Sequence, residues 1–232
     1  MAIAHVASNS AKASSASSVG VGLTGVTSGN QITALGRTYN NATNTFTSIT
    51  CTSESNLTLI GSIQRGFDDY AFQIGYLSNV TVSENKTVTL TSSASVSGIG
   101  ITASEWSGGD TTTFYDGGEI GATGTTSPAT GNLTTSTDAA MIVGLGACAG
   151  FGWDSADAAW TAADLSAIDW FEMWQYDVDV GTAGSKTFSR NTVIDTDWII
   201  KAAAFKPAGG GGGSGATSDT ISVSALFIMG MG

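Results

Sequence analysis

The chain has 232 residues, of which 41% are hydrophobic and only 12% are charged, and its 19 acidic and 8 basic side chains give a formal net charge of −11. Intrinsic disorder needs a less apolar or more highly charged composition, so the sequence predicts a folded protein whose length suits one sizeable core. Nucleic acids and anionic membrane surfaces are bound through clustered cations, which this sequence lacks, so we expect neither as a partner.

Alternation of apolar with small or polar residues recurs along the chain, and helical periodicity is nearly absent. The clearest case runs from Tyr70 to Tyr76, where aromatic and aliphatic side chains occupy every second position. Similar runs lie at residues 19–23, 57–63, 88–90, 99–103, 141–145, 170–176 and 198–204. With turn-forming clusters between them, about ten strands predict an all-β fold, a two-sheet antiparallel β-sandwich of the jelly-roll or immunoglobulin-like type.

Positions of the hydrophobic core follow from this alternation. Phe72, Ile74 and Trp198 each lie on the apolar side of a predicted strand, so we expect all three to be buried. In the run 170–176 both sides are apolar, which predicts a strand covered on both faces. Residues 154–167 form the one segment with helical character, and it fits a short helix or an Ala-rich loop equally well.

The domain organisation is predicted from shifts in composition. Residues 1–207 form the β-sandwich domain, except that the low-complexity polar run 8–18 is expected to lie outside its packed body. Residues 208–219 have the composition of a flexible glycine-rich linker, and residues 220–232 form an apolar, strand-like extension. The extension is predicted to dock on a partner through one alternating face, formed by Ile221, Val223, Ala225 and Phe227.

The N-terminal segment lacks the basic region and apolar core of a secretory signal, and no apolar run is long enough for a transmembrane helix, so we expect neither. The two cysteines, Cys51 and Cys148, lie in or beside strand-like runs. We expect buried free thiols, because free cysteine packs as a small hydrophobic residue, with a disulfide as the alternative.

The residues that carry enzyme chemistry are sparse. The chain has one histidine, His5, close to its N-terminus, and one histidine with two distant cysteines does not make a zinc site. Glu105 with Glu172, or Asp68 with Asp69, are the candidate carboxylate pairs for glycoside hydrolysis, but the adjacent aspartates fit a turn better. We therefore predict that the protein is not an enzyme and holds no cofactor.

Calcium is the one metal for which the sequence offers candidate ligands. Pairs of aspartates occur close together in loop-like segments, and carboxylate oxygens are the ligands that Ca²⁺ prefers. These pairs are Asp154 with Asp157, Asp177 with Asp179, and Asp195 with Asp197. None has the density of a dedicated calcium loop, so solvated turn carboxylates are the preferred interpretation and Ca²⁺ is the alternative.

Three stretches carry a strand-and-turn pattern in a fixed order. Residues 69–91 combine an aromatic strand, a turn and a Thr/Val-rich strand, residues 101–117 join a small-residue strand to a Ser-Gly turn, and residues 197–208 place Trp before an Ala-rich strand. Over residues 1–208 the chain resembles a group of β-sandwich proteins common in bacteriophage structural modules. The resemblance implies a virion component on the exterior of the particle, with other copies of itself and other virion proteins as partners, and no active site.

The C-terminal extension favours a role in assembly, because an apolar strand after a flexible linker needs a surface on which to dock. We therefore predict a phage virion structural protein, either a capsid decoration or another particle-surface component that acts by assembly contacts. The alternative is a tail or fibre adhesin, or a carbohydrate-binding module, that recognises glycans on the host surface. For that alternative Trp153 and Trp160 are the candidate stacking platforms, since both lie in the irregular segment.

Overall fold

The computed structural model describes residues 1–39, 43, 45–127, 129–149, 161–162, 172–190 and 196–209. This part of the chain contains thirteen β-strands and one short 3-10 turn, and every strand pairing is antiparallel. The strands are β1 (Ala4–Val26), β2 (Gln31–Tyr39), β3 (Phe46–Cys51), β4 (Thr58–Arg65), β5 (Ala71–Leu77), β6 (Glu84–Ser107), β7 (Tyr115–Gly124), β8 (Ala129–Thr135), β9 (Met141–Cys148), β10 (Thr161–Ala162), β11 (Glu172–Asp177), β12 (Gly184–Arg190) and β13 (Trp198–Phe205).

The two longest strands, β1 and β6, form a ribbon that bends in its middle. The pairing register shifts between Ala16 and Ser18, next to Ser15, which has a φ of 51°. The side-chain amide of Asn9 donates a hydrogen bond of 2.9 Å to the carbonyl oxygen of Gly22, in the same strand. In a straight strand these two residues would lie about 43 Å apart. The ribbon therefore folds back on itself, and each of its strands contributes to two layers.

The ribbon overturns one expectation, that residues 8–18 lie outside the packed body. These residues belong to β1 and pair with β6. The hydroxyl of Ser8 donates to that of Ser104 over 3.0 Å, and the hydroxyls of Ser10 and Thr102 lie 2.8 Å apart. Several alanines of the same run pack against the first hydrophobic core. Small side chains can form a strand here because the serine hydroxyls hydrogen-bond to side chains of β6, while the alanines pack against the core.

The strands stack in four layers. The first contains the second half of β1 (residues 18–26), the first part of β6, and β3. The second contains the first half of β1 (residues 4–14), the remainder of β6, then β2, β5 and β4. The third has the strand order β10-β11-β9-β13-β7, and the fourth is the pair β12-β8. The second and third layers are the two packed sheets of the predicted all-β sandwich, which is confirmed.

Three hydrophobic cores separate these layers. In the first, between the first two layers, Leu90 of β6 lies against Gly36 of β2. The second core, between the two main sheets, contains Phe72 and Ile74 of β5, and the third contains Trp198 of β13. Phe72, Ile74 and Trp198, which the sequence predicts to be buried, are each at most 6% exposed, so that prediction is confirmed. Strands β9 and β13 are buried at every position, because the third layer is covered on both faces.

Smaller predictions can be checked against the same strands. Trp174 and Gln175 of β11 are both buried, which confirms a strand covered on both faces there. Of the segment expected to be a helix or a loop, only Thr161–Ala162 is described, and these two residues form a short strand beside β11.

Both cysteines are free and buried, as predicted. In the described residues, no helix has the length and hydropathy that crossing a membrane requires.

Candidate functional site

The most distinctive surface of the protein is the outer edge of β1. This strand is the last in its sheet, and no described strand pairs with its other side. Residues 4–14 of β1 are mostly exposed. In an antiparallel pair alternate residues point their backbone N–H and C=O groups away from the partner strand, so this edge offers hydrogen bonds to a further strand.

The two ends of the described chain meet beside the start of this edge. The N-terminal ammonium of Met1 donates to the carbonyl oxygen of Ala208 over 2.9 Å, and the Ala208 N–H donates to the carbonyl oxygen of Gly108 over 2.8 Å. Gly108 follows β6 directly and has a φ of +78°, and a Cβ there would lie 2.1 Å from the carbonyl oxygen of Ala2. A glycine is therefore required for this close approach. Ala208, next to the last described residue, consequently lies beside the first residues of the chain.

Asparagine side chains already bind backbone groups in both halves of β1. In the second half, the carbonyl of Gly22 accepts the Asn9 amide, and the N–H of Gly25 donates to Asn85 Oδ1 over 2.8 Å. In the first half, the N–H of Ser10 donates to Asn9 Oδ1 over 2.9 Å. Asn9 therefore links the two halves of the bent strand to each other.

Glu105, a candidate catalytic carboxylate, has a structural role. Its side chain is 1% exposed, and its Oε1 accepts hydrogen bonds from the Thr27 N–H at 2.9 Å and the Asn30 side-chain amide at 2.6 Å. It therefore anchors the turn between β1 and β2. Glu105 shares the face of β6 that packs into the first core with Ala103, whereas β11, which carries Glu172, lies beyond the opposite face. The structure does not bring a Glu105–Glu172 pair together, and the adjacent aspartates Asp68 and Asp69 lie in the 3-10 turn before β5.

A buried ion cluster holds the loop after β3 against the start of β6. The ammonium of Lys86 lies 2.8 Å from Glu54 Oε1 and 3.0 Å from Glu84 Oε1. Glu54 also accepts hydrogen bonds from the Thr81 N–H and hydroxyl and from the Val82 N–H. Burial raises the pKa of the Glu54 carboxyl, but these hydrogen bonds outweigh it and hold the pKa below its ordinary value. The cluster therefore acts as an internal clamp between two loops.

His5 joins the second layer to the third. Its ring stacks on Tyr176 with centroids 5.2 Å apart and meets the edge of Trp106 at 5.1 Å, and its Nε2 lies 2.5 Å from the hydroxyl of Ser8. Burial lowers the pKa of His5, so the neutral ring is favoured. Trp106 in turn donates its Nε1–H to the Thr33 hydroxyl over 2.8 Å. The lone histidine is a packing residue of an aromatic cluster that spans the two main sheets.

Two of the aspartates considered for calcium, Asp177 and Asp179, bind their own loop. Asp177 Oδ1 accepts the Asp179 N–H, and Asp179 Oδ1 accepts the Gly181 N–H, at 3.1 and 2.9 Å. Across the described ranges, no three His, Cys, Asp or Glu side chains come together in a group that could hold a metal ion. The remaining candidates that lie outside the described residues are Asp154, Asp157, Asp195, Trp153, Trp160, Ile221, Val223, Ala225 and Phe227.

An open cleft of about 290 Å³ lies where β4, β7 and β13 meet. Arg65 and Phe67 form one side, and Asp197 and Trp198 form another. The indole of Trp198 is fixed there by a 2.7 Å hydrogen bond from its Nε1–H to the carbonyl oxygen of Thr126. The cleft combines aromatic, cationic and anionic side chains.

Comparison with protein-family models, with curated proteins and with solved structures finds no match to the chain. The resemblance to phage β-sandwich proteins therefore rests on the strand-and-turn pattern alone. Function has to be inferred from the surfaces described above, of which the β1 edge is the one that begins beside both ends of the described chain.

Proposed function

We propose that the protein is a structural component of a bacteriophage particle, a capsid decoration or another component of the particle exterior, that acts by assembly contacts with copies of itself and with other virion proteins. The observation that carries the proposal is the outer edge of β1, with which no described strand pairs and which begins beside Ala208, near the end of the described chain. An unpaired edge and an apolar extension on one molecule are complementary surfaces for assembly.

The arrangement of charges supports a structural role. The buried ionisable side chains Lys86, Glu54 and Glu105 are bound to one another or to backbone N–H groups of turns, where they fix loops. The apolar extension supports it further, because Ile221, Val223 and the residues after them would expose hydrophobic side chains and unpaired backbone groups if they stayed in water. Docking on a partner surface in an assembly would bury these side chains and pair these backbone groups.

Quantitative mass spectrometry of purified intact particles tests the proposal. We expect the protein to be present at many copies per particle, and to be accessible to antibodies or mild proteolysis on intact particles because it lies on the exterior. Presence in infected cells but absence from density-purified particles would overturn the proposal. A few copies per particle, located at the tail tip, would favour the adhesin instead.

The adhesin or carbohydrate-binding module is the second candidate, and the cleft beside Trp198 is the observation that favours it. Asp197 offers hydrogen bonds to sugar hydroxyls, and Phe67 offers an apolar surface. A glycan array probed with the purified protein tests this. Binding to a defined glycan that is lost in Asp197→Ala would establish the second candidate, and an array without hits would remove it.

A further inference from the structure

We propose that the cleft beside Trp198 receives an arginine side chain from a basic segment of another virion protein. This inference rests on the proposed assembly function and deepens it, because it names the chemistry of one partner and the surface that binds it. The cleft has a volume of about 290 Å³, at the lower end of the range for ligand pockets, and so suits one long side chain better than a larger ligand.

Close contacts where the two main sheets meet fix the shape of the cleft. A Cβ on Gly124 of β7 would lie 2.3 Å from Cζ2 of Trp198, and a Cβ on Gly66 would lie 2.7 Å from Cβ of Ile199. Larger side chains are therefore excluded from both glycine positions. The indole of Trp198 is held in place by its hydrogen bond to the carbonyl oxygen of Thr126. The cleft is thus formed before a ligand arrives, which lowers the entropic cost of binding.

Carboxylates lie on both sides of the cleft. Asp197, directly before β13, forms part of one wall, and Asp68 and Asp69 directly follow Phe67, which forms part of the other. All three aspartates are exposed, and no partner for their side chains is found in the described part of the chain. Arg65, the one cation in the described lining, already interacts with another group of the chain. The charge left unpaired around the cleft is negative, so a cationic ligand is favoured.

The turn that carries two of these carboxylates has an unusual backbone. Asp68 and Asp69 have φ angles of 49° and 57°, in the left-handed region that side-chain-bearing residues seldom adopt in succession. The Tyr70 N–H donates to the carbonyl oxygen of Phe67 over 3.0 Å, and the two rings lie 5.2 Å apart, so tertiary contacts hold the turn. Strained backbone of this kind clusters at ligand-binding sites, and here it keeps two carboxylates next to the aromatic wall.

The combination of an aromatic wall with carboxylates favours arginine over lysine. A guanidinium is planar, so it can stack on the ring of Phe67 while its N–H groups bind the carboxylate of Asp197. A lysine ammonium is a compact and more strongly hydrated charge that gains less from the ring.

Charge also selects the source of the arginine. The chain has 19 acidic and 8 basic side chains, so two copies repel each other at neutral pH. A basic segment of a different protein is instead attracted by the same field. The occupant is therefore a different virion protein rather than a second copy of this chain.

An NMR titration of the full chain with a capped Gly-Arg-Gly peptide tests the cleft. We expect the amide resonances of Thr123, Gly124 and Thr125 to shift at millimolar peptide. A capped Gly-Lys-Gly peptide should bind more weakly, and the uncharged Gly-citrulline-Gly peptide, which has nearly the same shape as the arginine peptide, should leave these resonances unchanged. Asp197→Asn should weaken the binding of the arginine peptide by about tenfold, because a hydrogen bond to a charged group is lost. Asp179→Asn, the same charge change in the loop after β11, is the matched control and should bind as the unsubstituted protein.

Three results would overturn the inference: no shifts at these amides, equal affinity for the arginine peptide and either of the other two, or unchanged affinity in Asp197→Asn. A neutral glycan that binds in the cleft, with binding lost in Asp197→Ala, would also overturn it, because a sugar would then be the occupant. Particle incorporation is measured separately, so the protein can be a virion component even where the cleft binds no arginine.

Discussion

Two buried lysines show how the surroundings of a cation set its pKa. Burial alone would lower the pKa of Lys86, but hydrogen bonds to Glu54 and Glu84 outweigh it and raise the pKa. Lys201 is equally buried, between the two main sheets, and burial lowers its pKa because its only carboxylate partner in the described residues, Glu119, is 3.9 Å away. Lys86 is stabilised as a cation by its ion pairs, whereas the surroundings of Lys201 destabilise its charged form.

We expect Glu54→Gln to destabilise the protein by about 3–5 kcal/mol, because it leaves the Lys86 ammonium buried without its enclosed partner. Glu84→Gln is the matched control. The Glu84 side chain is 38% exposed, so water replaces much of the lost interaction and the effect should be far smaller. Urea unfolding followed by tryptophan fluorescence measures both. Equal losses for the two variants would contradict the assignment of Glu54 as the enclosed partner.

Replacing the poorly supported cation should have the opposite effect. At neutral pH we expect Lys201→Met to raise the free energy of unfolding by about 1 kcal/mol, since an apolar side chain of similar length replaces a buried charge. The loss of the 2.9 Å hydrogen bond from Nζ to the Ser62 carbonyl oxygen limits the gain.

The pH dependence of this gain follows from the lowered pKa of Lys201. The folded protein releases the proton more readily than the unfolded chain, so the unsubstituted protein gains stability as pH rises through the folded-state pKa toward the ordinary value of 10.5. The advantage of Lys201→Met should therefore shrink with rising pH. Urea unfolding at a series of pH values measures it, and a pH-independent difference would contradict the charge as its source.

At the scale of strands, sequence reasoning succeeds where one face is apolar and fails where small or polar side chains do the packing. β5, β9 and β13 are predicted by their aliphatic and aromatic alternation. β2 is buried at all but its last residue, yet it carries Gln31, Thr33 and Arg37. Thr33 accepts the Trp106 indole N–H, and Gln31 accepts the Gly109 N–H at 2.9 Å. Such strands become interpretable only when the tertiary partners of their polar groups are known.

For the same reason, only one of the two candidate assembly surfaces, the C-terminal extension, could be predicted from the sequence. The apolar alternation from Ile221 to Phe227 marks the extension in the sequence. The outer edge of β1 lies in a Ser/Ala-rich run that resembles low-complexity sequence, and only its pairing with β6 identifies it as a strand. From Ala7 to Ala13, alanine or asparagine occupies every odd position and serine or lysine every even one, and this alternation is the signal that was available.

The contact between the third and fourth layers depends on a glycine without a side chain. A Cβ at Gly118 of β7 would lie 2.0 Å from the carbonyl oxygen of Thr134 in β8, and backbone cannot rotate away. We expect Gly118→Ala to destabilise the protein by about 1–3 kcal/mol. Gly22→Ala is the control, because nothing lies within 4 Å of its Cβ. Thermal unfolding of the pair measures the difference, and equal stabilities would mean that the two layers separate without cost.

For the whole molecule, the three cores between the four layers are built from described strands that run from β1 to β13. Deleting residues 210–232 should therefore leave the domain folded with a nearly unchanged melting temperature, while incorporation into particles or oligomers is lost. Differential scanning calorimetry and particle sedimentation measure the two outcomes. Unfolding of the truncated domain would show that the extension completes its own sandwich.

The bend in the β1–β6 ribbon lies in the middle of β1, about 36 Å along the strand from Ala4, where the two ends of the described chain meet. Ser15 and the exposed residues Ser93 to Ser95 form this pole. If the protein is fastened to a particle through its termini, as we propose, the bend faces away from the attachment point. Foreign peptides inserted between Ser93 and Ala94 would then be displayed at the tip, whereas the same peptides fused to Met1 would sit in the attachment zone and block anchoring.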